Sequence, residues 1–229
     1  MSAELLINVT PSESRVALIE NGILQEIHVE RHTKRGLVGN IYRGKVSRVL
    51  PGMQAAFVDI GLEKAAFLHA SDIVIHNEIA EEVSASHIQK QDIRELVRDG
   101  QDIVVQVVKD PIGTKGARLT TDITIPSRYL VFMPSVTHVG VSQRIEEEAE
   151  RERLKGLVQE FCDENGGFIL RTAAEGVGKT ELQSDAAFLR RLWDKIQSRM
   201  KKRKSNVLYE DLPLARRVLR DFVGTELDR

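Results

Sequence analysis

A single cysteine, Cys162, occurs among 229 residues. One thiol closes no disulfide and supplies no multi-cysteine zinc site, so neither device holds this fold together. Long apolar runs are also missing. IVVQVV at 103–108 typifies the runs present, far short of the roughly 20 residues a membrane-spanning helix needs. The opening MSAELLINVT lacks the basic start and apolar core of a signal peptide, so the expected location is the cytosol. No sign of charge dominates either: 33 Lys and Arg stand against 34 Asp and Glu, a net charge of −1. A polyanionic partner would therefore have to be met by local segregation of charge. Aromatics are scarce at 5%, yet 41% of residues are apolar, enough for one or two real cores. Long-period repeats and low-complexity segments are absent.

What is present begins with β patterning. ELLINVT, SRVALIE and ILQEIHVER are short β-like runs, and Asn21-Gly22 sits where a hairpin turn would, so residues 4–31 are expected to form a β-meander. Strand character continues through NIYRGKVSRVL, QAAFVDIG, KAAFLHA, DIVVQVVKD and ARLTTDI, broken by a polar stretch around 76–92 and a short helical IRELVRDG. Five strands over about eighty residues suit a small closed barrel. Beyond Arg144 the period changes. Leu154, Leu157, Val158 and Phe161 form one helical stripe, Gly166-Gly167 stops it, and GFILRT returns to strand. Leu182, Leu189, Trp193, Ile196 and Met200 trace a second helix that ends in MKKRK, and Leu214, Val218, Leu219 and Phe222 trace a third. A weak strand is expected near Val207-Leu208. The third helical pattern stops without a capping signal or a following element to pack on, as in a chain that continues.

AAEGVGKT at 173–180 meets the loose pattern of a phosphate-binding P-loop, between a strand and a helix. A P-loop also needs a parallel sheet with further strands to carry a magnesium-binding Asp. Only 49 residues follow Thr180, they read mainly as helix, and Glu175 would place a carboxylate among phosphates. Nucleotide hydrolysis is therefore disfavoured. A strand ending in Arg171-Thr172 beside a Gly-rich turn could still hold one phosphate group, with a guanidinium fork, a hydroxyl and backbone N–H groups. The competing reading makes Arg171 a surface side chain on a structural turn.

Strand parity puts Val58 and Ile60 inside the barrel and Phe57 outside with Asp59; Phe67 and His69 share a face opposite Ala66 and Leu68. Exposed rings near Arg43, Lys45, Arg48 and Lys115 match the platform on which single-stranded nucleic acid stacks its bases. Burial of both rings against another domain is the alternative. The acidic run EEEAERE at 146–152 reads as a solvated helix face. His28, His32, His76, His87 and His138 show no metal-ligand spacing.

GNIYRGKVSRVLPGMQAAFVDIGLEKAAFLHASDI resembles an S1 domain, an RNA-binding OB-fold barrel. The wider chain, through AELLINVTPSESRVALIE, GTKGARLTTDITIPSRYLVFMP, SQRIE and GFILRTAAEGVG, resembles the N-terminal half of the bacterial ribonuclease E/G family. The resemblance implies an α+β fold: an S1-type barrel at 38–121 inserted in a split ribonuclease-H-like domain begun by 1–37, a 5′-sensor region at 122–213, and the start of the second ribonuclease-H-like part at 214–229. It also implies an endoribonuclease of rRNA maturation and mRNA decay, cytoplasmic and homo-oligomeric, a dimer when full length. Phe57, Phe67 and Lys115 fall on its contacts to single-stranded RNA, with Tyr42 and His69 on the same surface. Arg171 and Thr172 fall on its 5′-monophosphate site, with Val131 lining the pocket and Arg144 nearby. Lys179 and Thr180 then become ordinary residues at a helix start, Thr180 as an N-cap. The family's catalytic, magnesium-binding aspartates and its zinc cysteines belong to regions outside these residues, so no cofactor and no catalytic residue is expected here. The alternative is a stand-alone S1 RNA-binding or regulatory protein.

Overall fold

Alternating apolar and polar residues build the first sheet, and its sharp turn comes from residues that tolerate left-handed backbone. Asn21 and Gly22 take φ of 51° and 76°, the two positive values that a two-residue hairpin needs. They join β2 (Glu13–Glu20) to β3 (Ile23–Arg31), and β1 (Ala3–Val9) completes an antiparallel sheet in the order β1-β2-β3. The computed structural model describes residues 3–74, 92–163, 165–202 and 205–222. The polar stretch around 76–92 lies almost wholly outside the described residues, as do His76 and His87.

The barrel is closed. β4 (Ile41–Leu50), β5 (Ala55–Asp59), β6 (Ala66–His69), β7 (Asp102–Lys109) and β8 (Arg118–Thr120) run in the order β4-β5-β6-β8-β7, and β4 pairs back onto β7. Only β6 and β8 run parallel within this ring, as in an OB-fold. Val46, Val58, Leu68, Val105 and Leu119 fill the interior and are at most 1% exposed. The short helix α1 (Ile93–Leu96) plugs it with Ile93, the first residue after an Asp92 side-chain cap.

Next come β9 (Ile125–Pro126), β10 (Leu130–Met133), β11 (Val139–Val141), α2 (Glu148–Gln159), β12 (Gly167–Leu170), α3 (Lys179–Lys202), β13 (Val207–Tyr209) and α4 (Leu214–Phe222). The second sheet has the order β11-β12-β10-β9. Its inner face, with Leu130, Phe132, Phe168 and Leu170, packs under the apolar stripes of α2 and α3. Two features tie this layer to the barrel. β13 adds to the start of β4, and Ile41 of β4 belongs to the second core. α4 then returns to the first sheet and packs Leu214 and Val218 on Val16.

Candidate RNA interface

Parity on β5 and β6 works as the sequence suggests. Ala56, Val58, Ala66 and Leu68 turn inward and are 0% exposed, which leaves Phe57 and Phe67, cross-strand partners, on the outside. Their rings stand edge to face at 6.3 Å and 69°. They line a groove of about 760 Å³ together with Met53, Ile112, Lys64 and Lys115. The groove's second wall is the hairpin between β7 and β8. Lys64 Nζ donates to Gly113 O at 2.6 Å and fastens the hairpin's tip. At Gly116 a Cβ would lie 1.9 Å from Ala65 O, so only glycine lets this ribbon close on β6 and bring Lys115 against the rings. Ile112, 73% exposed, faces solvent at the tip. Half-buried rings that line an open groove and are flanked by ammonium groups offer stacking and charge to one nucleic-acid strand.

The remaining expected contacts divide. His69 lies beside this surface, its ring 6.5 Å from that of Phe67 and its Nδ1 accepting the Ser71 N–H at 3.1 Å. Arg48 is exposed and pairs in register with Phe57. Tyr42 is corrected: it is 4% exposed, packs in the barrel core, and its hydroxyl accepts from Asn40 Nδ2 at 3.3 Å. Parity counted back from Val46 places it inside. Arg43 is also turned away, donating to the Met200 carbonyl at the end of α3.

The second site lies at the end of β12. Arg171 follows Leu170, and its N–H donates to Tyr129 O at 2.8 Å, so its backbone extends the β10–β12 pairing by one bond. Its side chain makes its polar contacts among the described residues through Nη1. That nitrogen donates to Ser127 O at 2.6 Å and Arg128 O at 3.5 Å and meets Asp221 Oδ1 at 2.7 Å. Thr172 is exposed at the start of the following turn. Val131 is half-buried, paired with Ile169 on the sheet face away from the helices. Arg144 is exposed just beyond Ser142, whose N–H donates to Leu170 O at 2.9 Å, so its segment runs beside the same strand end.

Family models match both regions: an S1 RNA binding domain over residues 37–119 and the ribonuclease E/G family over 124–229. The whole chain is 69% identical to ribonuclease G of Escherichia coli strain K12 and 63% identical to that of Haemophilus influenzae. The chain belongs to the ribonuclease E/G family. It spans about half the length of these curated relatives, 47% in each case. A ribonuclease E of Buchnera aphidicola is 34% identical over 97% of the chain, which covers 23% of that protein. Because the similarity continues past the barrel, the ribonuclease reading is favoured over a stand-alone S1 module.

In this ribonuclease E/G chain the P-loop look-alike is occupied by its own neighbours. Lys179 pairs with Glu160, and the Gly176 N–H donates to Glu150 Oε1 at 2.8 Å. Groups that would hold phosphates are thus already bonded to carboxylates. α3 starts at Lys179, so Thr180 lies inside the first turn rather than at the N-cap. The acidic run is used in pairs three residues apart, Glu148 with Arg151 and Glu150 with Arg153. Arg153's hydrogen bonds are the main reason that the Glu150 carboxyl falls from 4.5 to about 2, burial opposing them and the Gly176 amide adding to them. Among the described residues no three His, Cys, Asp or Glu come together as a cation site. The magnesium implied by the family therefore finds no ligand set among the described residues.

Sequence reasoning missed the groups behind Arg171. Asp185 of α3 accepts from Ser127 Oγ at 2.5 Å and from the N–H groups of Tyr129 and Leu130 at 3.0 Å, fixing the turn whose carbonyls hold the arginine. The signal available was a lone Asp on the apolar side of the α3 stripe, one position before the buried Ala186.

Proposed function

We propose that this chain is the RNA-recognition half of a ribonuclease E/G endoribonuclease, binding one strand at two places. Bases stack on Phe57 and Phe67 in the barrel groove while Lys115 meets the backbone, and His69 borders the path. At the end of β12, Arg171 and Thr172 take a 5′-monophosphate, with Val131 lining the pocket and Arg144 contributing charge. The observation that carries this reading is the pairing, in one chain, of an open aromatic groove with an arginine whose Nε and Nη2 meet no acceptor among the described residues. A guanidinium edge of that kind suits bidentate contact to one phosphate. A triphosphate, with more charge and bulk, fits such a site less well. On the family resemblance alone, the reading extends to magnesium-dependent cleavage by a later part of the full-length protein, to its dimerisation, and to a cytoplasmic place in RNA maturation and decay.

Fluorescence anisotropy with a short single-stranded RNA tests the groove. Phe57→Ala and Phe67→Ala are each expected to weaken binding by about 1–3 kcal/mol, the worth of one stacked base, whatever group the 5′ end carries. Unchanged affinity in both variants would place the strand elsewhere.

A further inference from the structure

Arg171 has a second anchor that comes from far along the chain. Asp221 lies on α4, fifty positions after the arginine in the numbering, and its helix otherwise packs on the first sheet. Its carboxylate is aimed by Arg220, which donates from Nε to Oδ1 and from Nη2 to Oδ2, each at 3.0 Å. Arg220 is itself fixed, reaching Asp211 Oδ1 at 3.4 Å and Pro126 O at 3.5 Å through Nη1. Asp221 Oδ1 then meets Arg171 Nη1 at 2.7 Å, while Ser127 O takes the same nitrogen at 2.6 Å. Nη1 carries two hydrogens. Nη1 sits between the Asp221 carboxylate and the Ser127 and Arg128 carbonyls, and acceptors gathered at this one end set the guanidinium plane.

We propose that Asp221 is a positioning residue for the 5′-phosphate site, holding Nη1 of Arg171 so that the Nε and Nη2 edge is presented to the phosphate. The inference rests on the end-sensing reading above. Two physical effects oppose each other when Asp221 loses its charge. Arg171 and Arg220 together would carry more unneutralised positive charge, which favours an anion. Arg171 would also lose the acceptor that sets its plane, which disfavours bidentate contact. Orientation outweighs charge here because Arg220 already balances the Asp221 carboxylate, and exposed charge is screened by salt. Asp221 is about a quarter exposed, as is Arg171, so the pair is neither sealed in the core nor free in solvent. Burial works against the Asp221 charge, and the hydrogen bonds from Arg220 and Arg171 overcome it and keep the carboxyl below its ordinary value. The group therefore stays ionised throughout the neutral range in which RNA binding is measured.

The test compares affinities of 5′-monophosphate and 5′-hydroxyl forms of one short RNA for the 229-residue chain and its Asp221→Asn, Asp221→Glu and Arg171→Ala variants. The 5′-hydroxyl form reports the barrel groove and serves as the internal control. Asp221→Asn is expected to lower the monophosphate preference about tenfold, the size of one charge-assisted hydrogen bond, with hydroxyl binding unchanged. Asp221→Glu should restore part of the preference. An unchanged or increased preference in Asp221→Asn overturns the proposal, an increase meaning that the carboxylate competes with the phosphate. Loss of hydroxyl binding also overturns it, because Asp221 would then be holding the fold. Absence of any preference in the wild type removes the end-sensing reading itself. Preference lost in Arg171→Ala but kept in Asp221→Asn removes only the role of Asp221.

Discussion

Glu150 shows how a side chain in an acidic run can be structural. It accepts from Arg153 and from the Gly176 amide, which ties α2 to the loop before α3. Its folded pKa of about 2 lies below the ordinary 4.5, so its stabilising contribution is complete above the ordinary value and fades as pH falls toward the folded one. Glu150→Gln should therefore lower Tm at neutral pH, and the gap from wild type should close as pH falls through that window; a gap that stays constant to low pH would refute this. Residue-level legibility followed local rules. Parity turned Phe57 and Phe67 outward because β5 and β6 each bury one face. Parity would also have buried Tyr42; its expected place on the RNA surface came from the family resemblance, and the alternation along β4 overrides it. No local pattern links Arg171 to Asp221, since their contact depends on where α4 returns.

At the scale of elements, length governed what could be read. The helices α2 and α3, with 12 and 24 residues, repeat their apolar stripe often enough to be seen. β9, β10 and β11 have two, four and three residues, too short for any period to show, and they supply three of the four strands of the sheet that carries the proposed phosphate site. α4 has a legible stripe and an illegible start. Its first N–H is met from β3, where Glu30, 8% exposed, accepts from Leu214 N at 3.0 Å and also from the Arg217 side chain, Nη2, at 3.2 Å. A carboxylate at a helix N-terminus satisfies an orphan donor and opposes the positive end of the helix dipole. Glu30→Ala should cost about 0.5–2 kcal/mol, as loss of an N-cap does. The cost should appear locally, as faster amide hydrogen exchange in α4 while the barrel strands keep their protection. Equal acceleration in both would mean that the two units unfold together.

Among the described residues, three apolar clusters are joined by shared residues and returning strands rather than by linkers. Ile41 starts a barrel strand yet packs in the second core, β13 pairs with β4, and α4 closes on the first sheet. The first sheet remains open on its other face, where Leu24, Ile27 and Val29 are 54%, 62% and 54% exposed. A face this apolar is a surface for covering, and the chain spans only 47% of its ribonuclease G relatives. The same return of α4 brings Asp221 to Arg171, so the proposed end sensor depends on the first sheet being formed.

In the proposed function, these residues recognise an RNA end by themselves. It is tested most directly by the ratio of affinities for 5′-monophosphate and 5′-hydroxyl RNA, measured on the wild-type chain and on Arg171→Ala. A ratio clearly above one is expected, collapsing to one in the variant, with 5′-hydroxyl binding intact. A ratio of one in the wild type, or a preference that survives Arg171→Ala, would contradict it.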